Sequence, residues 1–158
     1  MHEYCSQRLL RSPEETANLA SGFAAALKPG DTILLSGDIG AGKTHFCRSL
    51  IQARLGYFED VPSPTFTLIQ TYDAENVALW HADLYRLSNP DEVIELGLTE
   101  AFEDAICLVE WPDRLAELAP KSALSATFEM TKTPGERSLS LSWTSPYWTD
   151  FLNEYDLA

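Results

Sequence analysis

The sequence predicts one α/β domain over residues 1–158, built on a central mixed, mostly parallel sheet flanked by helices and carrying antiparallel hairpins. Three observations predict it. An apolar run, Thr32–Ser36, leads through a glycine-rich turn into an amphipathic segment, the strand–turn–helix order of an α/β unit. A second apolar run, Ala105–Glu110, reads as another buried strand and finishes on a carboxylate. Leu124, Ala126, Phe128 and Met130, then Leu139, Leu141 and Trp143, alternate with period two around Pro134-Gly135, which makes a half-exposed hairpin.

The remaining elements follow in order. Ser12 as N-cap, Pro13 at the first helical position and Glu15 three residues after the cap form a capping box. Leu19, Phe23 and Leu27 continue that helix on one apolar face, and Pro29-Gly30 ends it. After the glycine-rich turn Gly37–Thr44, a helix carries Phe46, Leu50, Ile51 and Leu55, with Gly56 placed as its C-terminal cap. Two β-rich runs follow, Phe66–Tyr72 and Val77–Asp83, joined by a turn at Asp73–Asn76. Asn89-Pro-Asp-Glu92 is a further helix start. At the end, Tyr147, Phe151 and Tyr155 recur at helical spacing, an aromatic stripe expected to pack on the parent domain.

Composition narrows the function classes. The 158 residues include 24 acidic against 11 basic side chains, a formal charge of −13, with 45% hydrophobic and 22% charged residues. That is an ordinary globular composition, long enough for a sizeable core. No apolar run approaches the roughly 18–20 residues of a membrane span. The start MHEYCSQRLL has no basic stretch followed by an apolar one, so no secretory leader is expected and the cytoplasm is the expected compartment. Cys5, Cys47 and Cys107 are sparse and unpaired in spacing, which argues against a disulfide framework and a structural zinc site. Between Asn89 and Glu117 nine acidic residues stand against one basic, Arg114. Such a surface repels phosphate backbones and disfavours direct nucleic-acid binding. It is a solvated acidic face or a docking surface for a basic protein partner.

GDIGAGKT, Gly37–Thr44, fits the Walker A pattern GxxxxGK[ST] in the strand-to-helix context the pattern requires. The backbone of Asp38, Ile39, Gly40, Ala41 and Gly42 is predicted to fold into a nest of N–H groups aimed at phosphate oxygens. The next helix adds its N-terminal donors and dipole, bringing Lys43, Thr44 and His45 into the binding set. Lys43 supplies a cation for the β- and γ-phosphates, and the Thr44 hydroxyl is placed to ligate Mg²⁺. The motif predicts a P-loop NTPase. Its second requirement, a carboxylate at a strand end, is met twice: Asp83 ends LWHAD and Glu110 ends AICLVE. Either can hold Mg²⁺ or orient the attacking water, and the sequence leaves that division open.

Among P-loop proteins, a GTPase is unsupported, because no DxxG switch and no NKxD loop is present. A small-molecule kinase usually brings an arginine-rich lid, and the seven arginines (8, 11, 48, 54, 86, 114, 137) are scattered. The kinase is therefore the runner-up, beside a nucleotide-gated binding module that needs no hydrolysis.

In order and spacing, GDIGAGKT, VPSPTFTLIQTY, HADLYRL, ELGLTEAF and LVEWPDRL resemble the TsaE family, the small bacterial ATPases of tRNA threonylcarbamoyladenosine synthesis. The blocks run from about Gly37 to Leu115, and the Ser12–Leu27 helix also fits. The resemblance implies an ATPase using ATP and Mg²⁺ that works with TsaB and TsaD, meets tRNA only through that complex, and touches no membrane. It implies that Lys43 and Thr44 are the P-loop pair and that Asp83 and Glu110 serve Mg²⁺ and hydrolysis. It assigns Ser63–Phe66 to a nucleotide-sensing loop with Thr65 as its polar contact, and places Trp111 beside the nucleotide. His45 departs from the family's usual Thr or Ser. His81 shares a strand face with Asp83, so it either contacts the site or supports Asp83. The combined expectation makes Lys43, Asp83 and Glu110 catalytic. With no arginine finger evident beyond Arg86 and Arg114, hydrolysis is expected to be slow alone and to rise with partners.

Overall fold

The computed structural model describes residues 2–57, 59–64 and 67–158. The chain runs β1 (Tyr4–Leu10), α1 (Pro13–Ala26), β2 (Thr32–Ser36), α2 (Lys43–Leu55), β3 (Ile69–Ala74), β4 (Val77–Asp83), α3 (Asp91–Glu95) and α4 (Leu98–Asp104). It continues through β5 (Ile106–Glu110), a 3₁₀ segment (Pro112–Leu118), β6 (Leu124–Met130), β7 (Arg137–Trp143) and α5 (Pro146–Glu154). Among the described residues, the strands form one sheet in the order β1-β7-β6-β2-β5-β4-β3. Parallel pairing occupies the centre, β6-β2-β5-β4, and both flanks are antiparallel. The α/β architecture is therefore as the sequence predicts, with the parallel character concentrated where the glycine-rich turn leaves the sheet.

Local chemistry explains the elements. Ser12 Oγ accepts the Glu15 amide at 3.2 Å, and the Glu15 carboxylate reaches back to the Arg11 amide at 3.1 Å, one residue before the cap. Gly56 ends α2 with φ 76°, its N–H on the Gln52 carbonyl. The β3–β4 turn is tighter than the sequence suggested: only Glu75 and Asn76 turn, at φ 52° and 69°, while Asp73 and Ala74 stay in the ladder. The preceding strand starts at Ile69, after Leu68 at φ 67°, and the expected start at Phe66 lies outside the described residues. Strand β1 carried no sequence signal because its inward residues include Ser6 and Arg8. Only Leu10 of that strand is fully buried.

One face of the sheet is covered by α1, α2 and α5 around Phe23, Phe46, Phe128 and Trp148. The other is covered over β4 and β5 by α3, α4 and the 3₁₀ segment, around Val93, Leu98 and Leu115. The C-terminal helix does pack on the domain, through Trp148, Phe151 and Leu152; Tyr147 and Tyr155 of the expected stripe sit at the rim, about two-fifths exposed. Among the described residues the cysteines are unpaired, and no helix is long and apolar enough to cross a membrane.

Candidate phosphate-binding site

The site forms where β2, β4 and β5 end together. Parallel register places Asp83 beside Glu110, and the Leu35–Glu110 pairing sets both next to the strand that enters the glycine-rich turn. Gly37 opens that turn at φ 138°; a Cβ there would lie 2.4 Å from the Phe128 carbonyl oxygen, so only glycine fits the close approach. Gly40 and Gly42 also hold positive φ, and Gly42 precedes α2 as its N-cap. The loop thereby leads into α2, whose first residues, Lys43, Thr44 and His45, line a cavity. That cavity, of about 440 Å³, is lined by Ile39, Gly40, Gly42, Lys43, Thr44, His45, Ser63, Asp83, Tyr85, Arg86, Glu110 and Trp111.

Lys43 is buried and donates to the Gly37 and Asp38 carbonyl oxygens, the latter at 3.1 Å. Its ammonium also lies 4.1 Å from the centre of the Trp111 ring. Burial pulls its pKa below the ordinary lysine value, while Glu110 and then Asp83 pull the other way. Trp111 holds a left-handed backbone, φ 59°, and stacks at a tilt on Tyr85, ring centres 4.9 Å apart. Its ring partners are Lys43 and Tyr85, and it lines the cavity.

Glu110 is almost wholly buried, 1% exposed, yet both its oxygens are used. Oε1 accepts the Thr44 hydroxyl at 2.7 Å and Oε2 meets His81 Nε2 at 2.7 Å. His81 therefore supports Glu110, where the sequence had it contacting the site or supporting Asp83. Asp83 Oδ1 accepts the Tyr85 amide at 3.1 Å, and the Asp83 amide donates to the Leu68 carbonyl at 2.8 Å. The hydroxyl and the two carboxylates are hard oxygen donors around one cavity, a set that fits Mg²⁺. Cys47 Sγ lies within 4.8 Å of a His81 nitrogen and a Glu110 oxygen, and thiol, imidazole and carboxylate together suit zinc. However, burial and then the Glu110 charge push the Cys47 thiol well above its ordinary pKa, and both Glu110 oxygens are already engaged. This cluster is a packed support for Glu110.

His45 lines the cavity from an exposed position, with Nε2 3.0 Å from the Pro13 carbonyl oxygen. Arg86 lines the cavity and Arg114 does not. Thr65 lies outside the described residues. Of the nine acids between Asn89 and Glu117, Glu110 points into the site and does not belong to the acidic face.

Sequence reasoning missed Arg137. From the start of β7 it donates through Nε to the Ala41 carbonyl at 3.1 Å and through Nη2 to the Gly40 carbonyl at 3.2 Å, bracing the glycine-rich loop. It lies 96 residues from Ala41 in sequence, and its only signal was its place at the mouth of a hairpin. Arg48 was also missed; its Nε donates to the Val61 carbonyl at 2.8 Å and ties the segment before Ser63 to α2.

The family model described as threonylcarbamoyl adenosine biosynthesis protein TsaE matches residues 10–139. A tRNA threonylcarbamoyladenosine biosynthesis protein TsaE from Rickettsia bellii is 44% identical over 125 residues, 79% of this chain and 87% of that protein. The protein of the same name from Bacillus subtilis is 39% identical over 135 residues, 85% of this chain and 82% of its own. The crystal structure of Bacillus subtilis YdiB superposes with a TM-score of 0.82 at 30% identity, covering 99% of this chain and 97% of that one.

Proposed function

The chain belongs to the TsaE family, and from that premise we propose that it is a Mg²⁺-dependent ATPase acting in tRNA threonylcarbamoyladenosine synthesis. The observation that carries the reading is the convergence of Lys43, Thr44, Asp83 and Glu110 on one cavity at the ends of adjacent strands. The amides of the loop and of α2 bind the phosphates, and Lys43 exchanges its carbonyl partners for β- and γ-phosphate oxygens. Thr44 and the carboxylates would hold Mg²⁺, which when bound neutralises charge on the β- and γ-phosphates. Glu110, whose Oε1 accepts the Thr44 hydroxyl, would orient the attacking water, and Asp83 would help Thr44 hold Mg²⁺. Trp111 and Tyr85 form an aromatic wall that limits water around the phosphates.

The same reading makes TsaB and TsaD the protein partners, with tRNA met through them. The acidic segment supports a docking role: Asp91, Glu95, Glu100 and Glu103 are exposed beside the exposed aliphatics Ile94 and Leu96. Glu110→Ala tests the assignment. It is expected to retain Mg-ATP binding and to lose turnover by about two orders of magnitude, in line with other single catalytic groups. Turnover equal to wild type would overturn the role given to Glu110.

A further inference from the structure

We infer that His81 is a positioning residue for hydrolysis: its Nε2–H holds Glu110 in the one orientation that faces both Thr44 and the phosphate cavity. The inference rests on the proposed ATPase reading and adds a residue to it. A carboxylate at the end of β5 has free rotation about its side chain unless something fixes it. Here Oε2 is held at 2.7 Å by a ring that is itself 0% exposed in the middle of β4, so the carboxylate cannot turn without breaking a buried bond. The remaining oxygen, Oε1, is thereby aimed at Thr44. Without His81, Glu110 would be a nearly buried charge with an unpaired oxygen, which costs more than the bond itself is worth.

The donor follows from the surroundings. Among the described residues, the buried Nδ1 has no hydrogen-bond partner. A carboxylate oxygen only accepts, so the proton in the 2.7 Å contact with Glu110 is carried by Nε2. Among the described residues that is the ring's one hydrogen bond, with Nε2 as its donor. Strand register completes the arrangement. His81 pairs with Leu108 and Asp83 with Glu110, so the same strand presents the supporting donor and the second carboxylate two residues apart. Cys47, with its thiol held protonated, fills the space beside the pair with a weak and uncharged neighbour.

Residues that orient a ligating or catalytic group typically cost 10–100-fold when removed. His81→Ala and His81→Asn are therefore expected to lose about 10–100-fold in kcat for ATP, with the KM for Mg-ATP changed less than threefold. His81→Gln is expected to recover most of that loss, because the amide nitrogen of Gln reaches about as far from the backbone as imidazole Nε2. A ring that merely fills space would instead give equal losses in all three variants. In nitrogen-15 spectra of the nucleotide-free protein, His81 should show a protected, downfield Nε2 proton that disappears in Glu110→Ala. Wild-type turnover in His81→Ala, a His81→Gln as impaired as His81→Ala, or an Nε2 without a proton would each overturn the inference. The spectrum decides it independently of hydrolysis: absent ATP turnover by the wild-type complex would defeat the ATPase reading while leaving the His81–Glu110 pair to be judged by its proton.

Discussion

Arg137→Ala separates the shape of the phosphate loop from the stability of the fold. The guanidinium donates to the carbonyls of Ala41 and Gly40, two consecutive groups of the loop whose amides are proposed to bind phosphate. A bond from a charged donor contributes about 1.5–3 kcal/mol. Gly40 is exposed, so water replaces its partner at little cost; Ala41 is buried, so its carbonyl loses more. The net cost is then about 2 kcal/mol, taken near the lower half of that range. If this energy holds the loop in its binding shape, the competent population falls and the Kd for Mg-ADP rises about 30-fold, at 1.4 kcal/mol per factor of ten. Arg137→Lys keeps a charge but loses the fork and should fall between the two. Calorimetric titration with Mg-ADP, with melting curves run in parallel, measures both quantities. Affinity within twofold of wild type in a folded Arg137→Ala would refute the bracing argument.

Two further outcomes follow from burial. Trp148→Ala removes a side chain 1% exposed whose indole N–H donates to the Ser122 carbonyl at 2.7 Å; a loss of about 3–5 kcal/mol in urea unfolding is expected, and less than 1 kcal/mol would contradict the packing of α5. Thiol titration with a water-soluble aromatic disulfide should find one fast thiol, the exposed Cys5, in the native protein and three after unfolding. Cys107 is buried with its pKa pushed up to about 12, and Cys47 is pushed well above the ordinary value, so both stay protonated and shielded. Fast modification of either in the native state would contradict their burial.

The central strands were legible because each buried run carries its own boundary: Thr32–Ser36 stops at a glycine, and Val77–Asp83 stops at a carboxylate. The phosphate loop was legible because its glycines and Lys43 sit together in sequence. Glu110 and Asp83 could be named from their strand ends, but their adjacency needed the β4–β5 register. What stayed hidden depends on distant segments meeting. Arg137 reaches the loop only because β7 pairs with β6, and β6 with β2. His81 could be placed on the Asp83 face, but a period-two argument cannot tell which neighbouring strand supplies its partner. Strand β1 was unreadable for another reason: it is an edge strand whose inward positions include polar residues, so no alternation marks it.

The central claim, that Lys43, Thr44, Asp83 and Glu110 make a site for ATP hydrolysis completed by partners, is tested most directly by one rate. ATP turnover is measured for the chain alone and with TsaB and TsaD from the same cell, using Lys43→Ala as the blank. The account predicts slow turnover alone, a several-fold rise with the pair, and none in Lys43→Ala. A rate unchanged by the pair despite Mg-ATP binding, or equal turnover in Lys43→Ala, would contradict it.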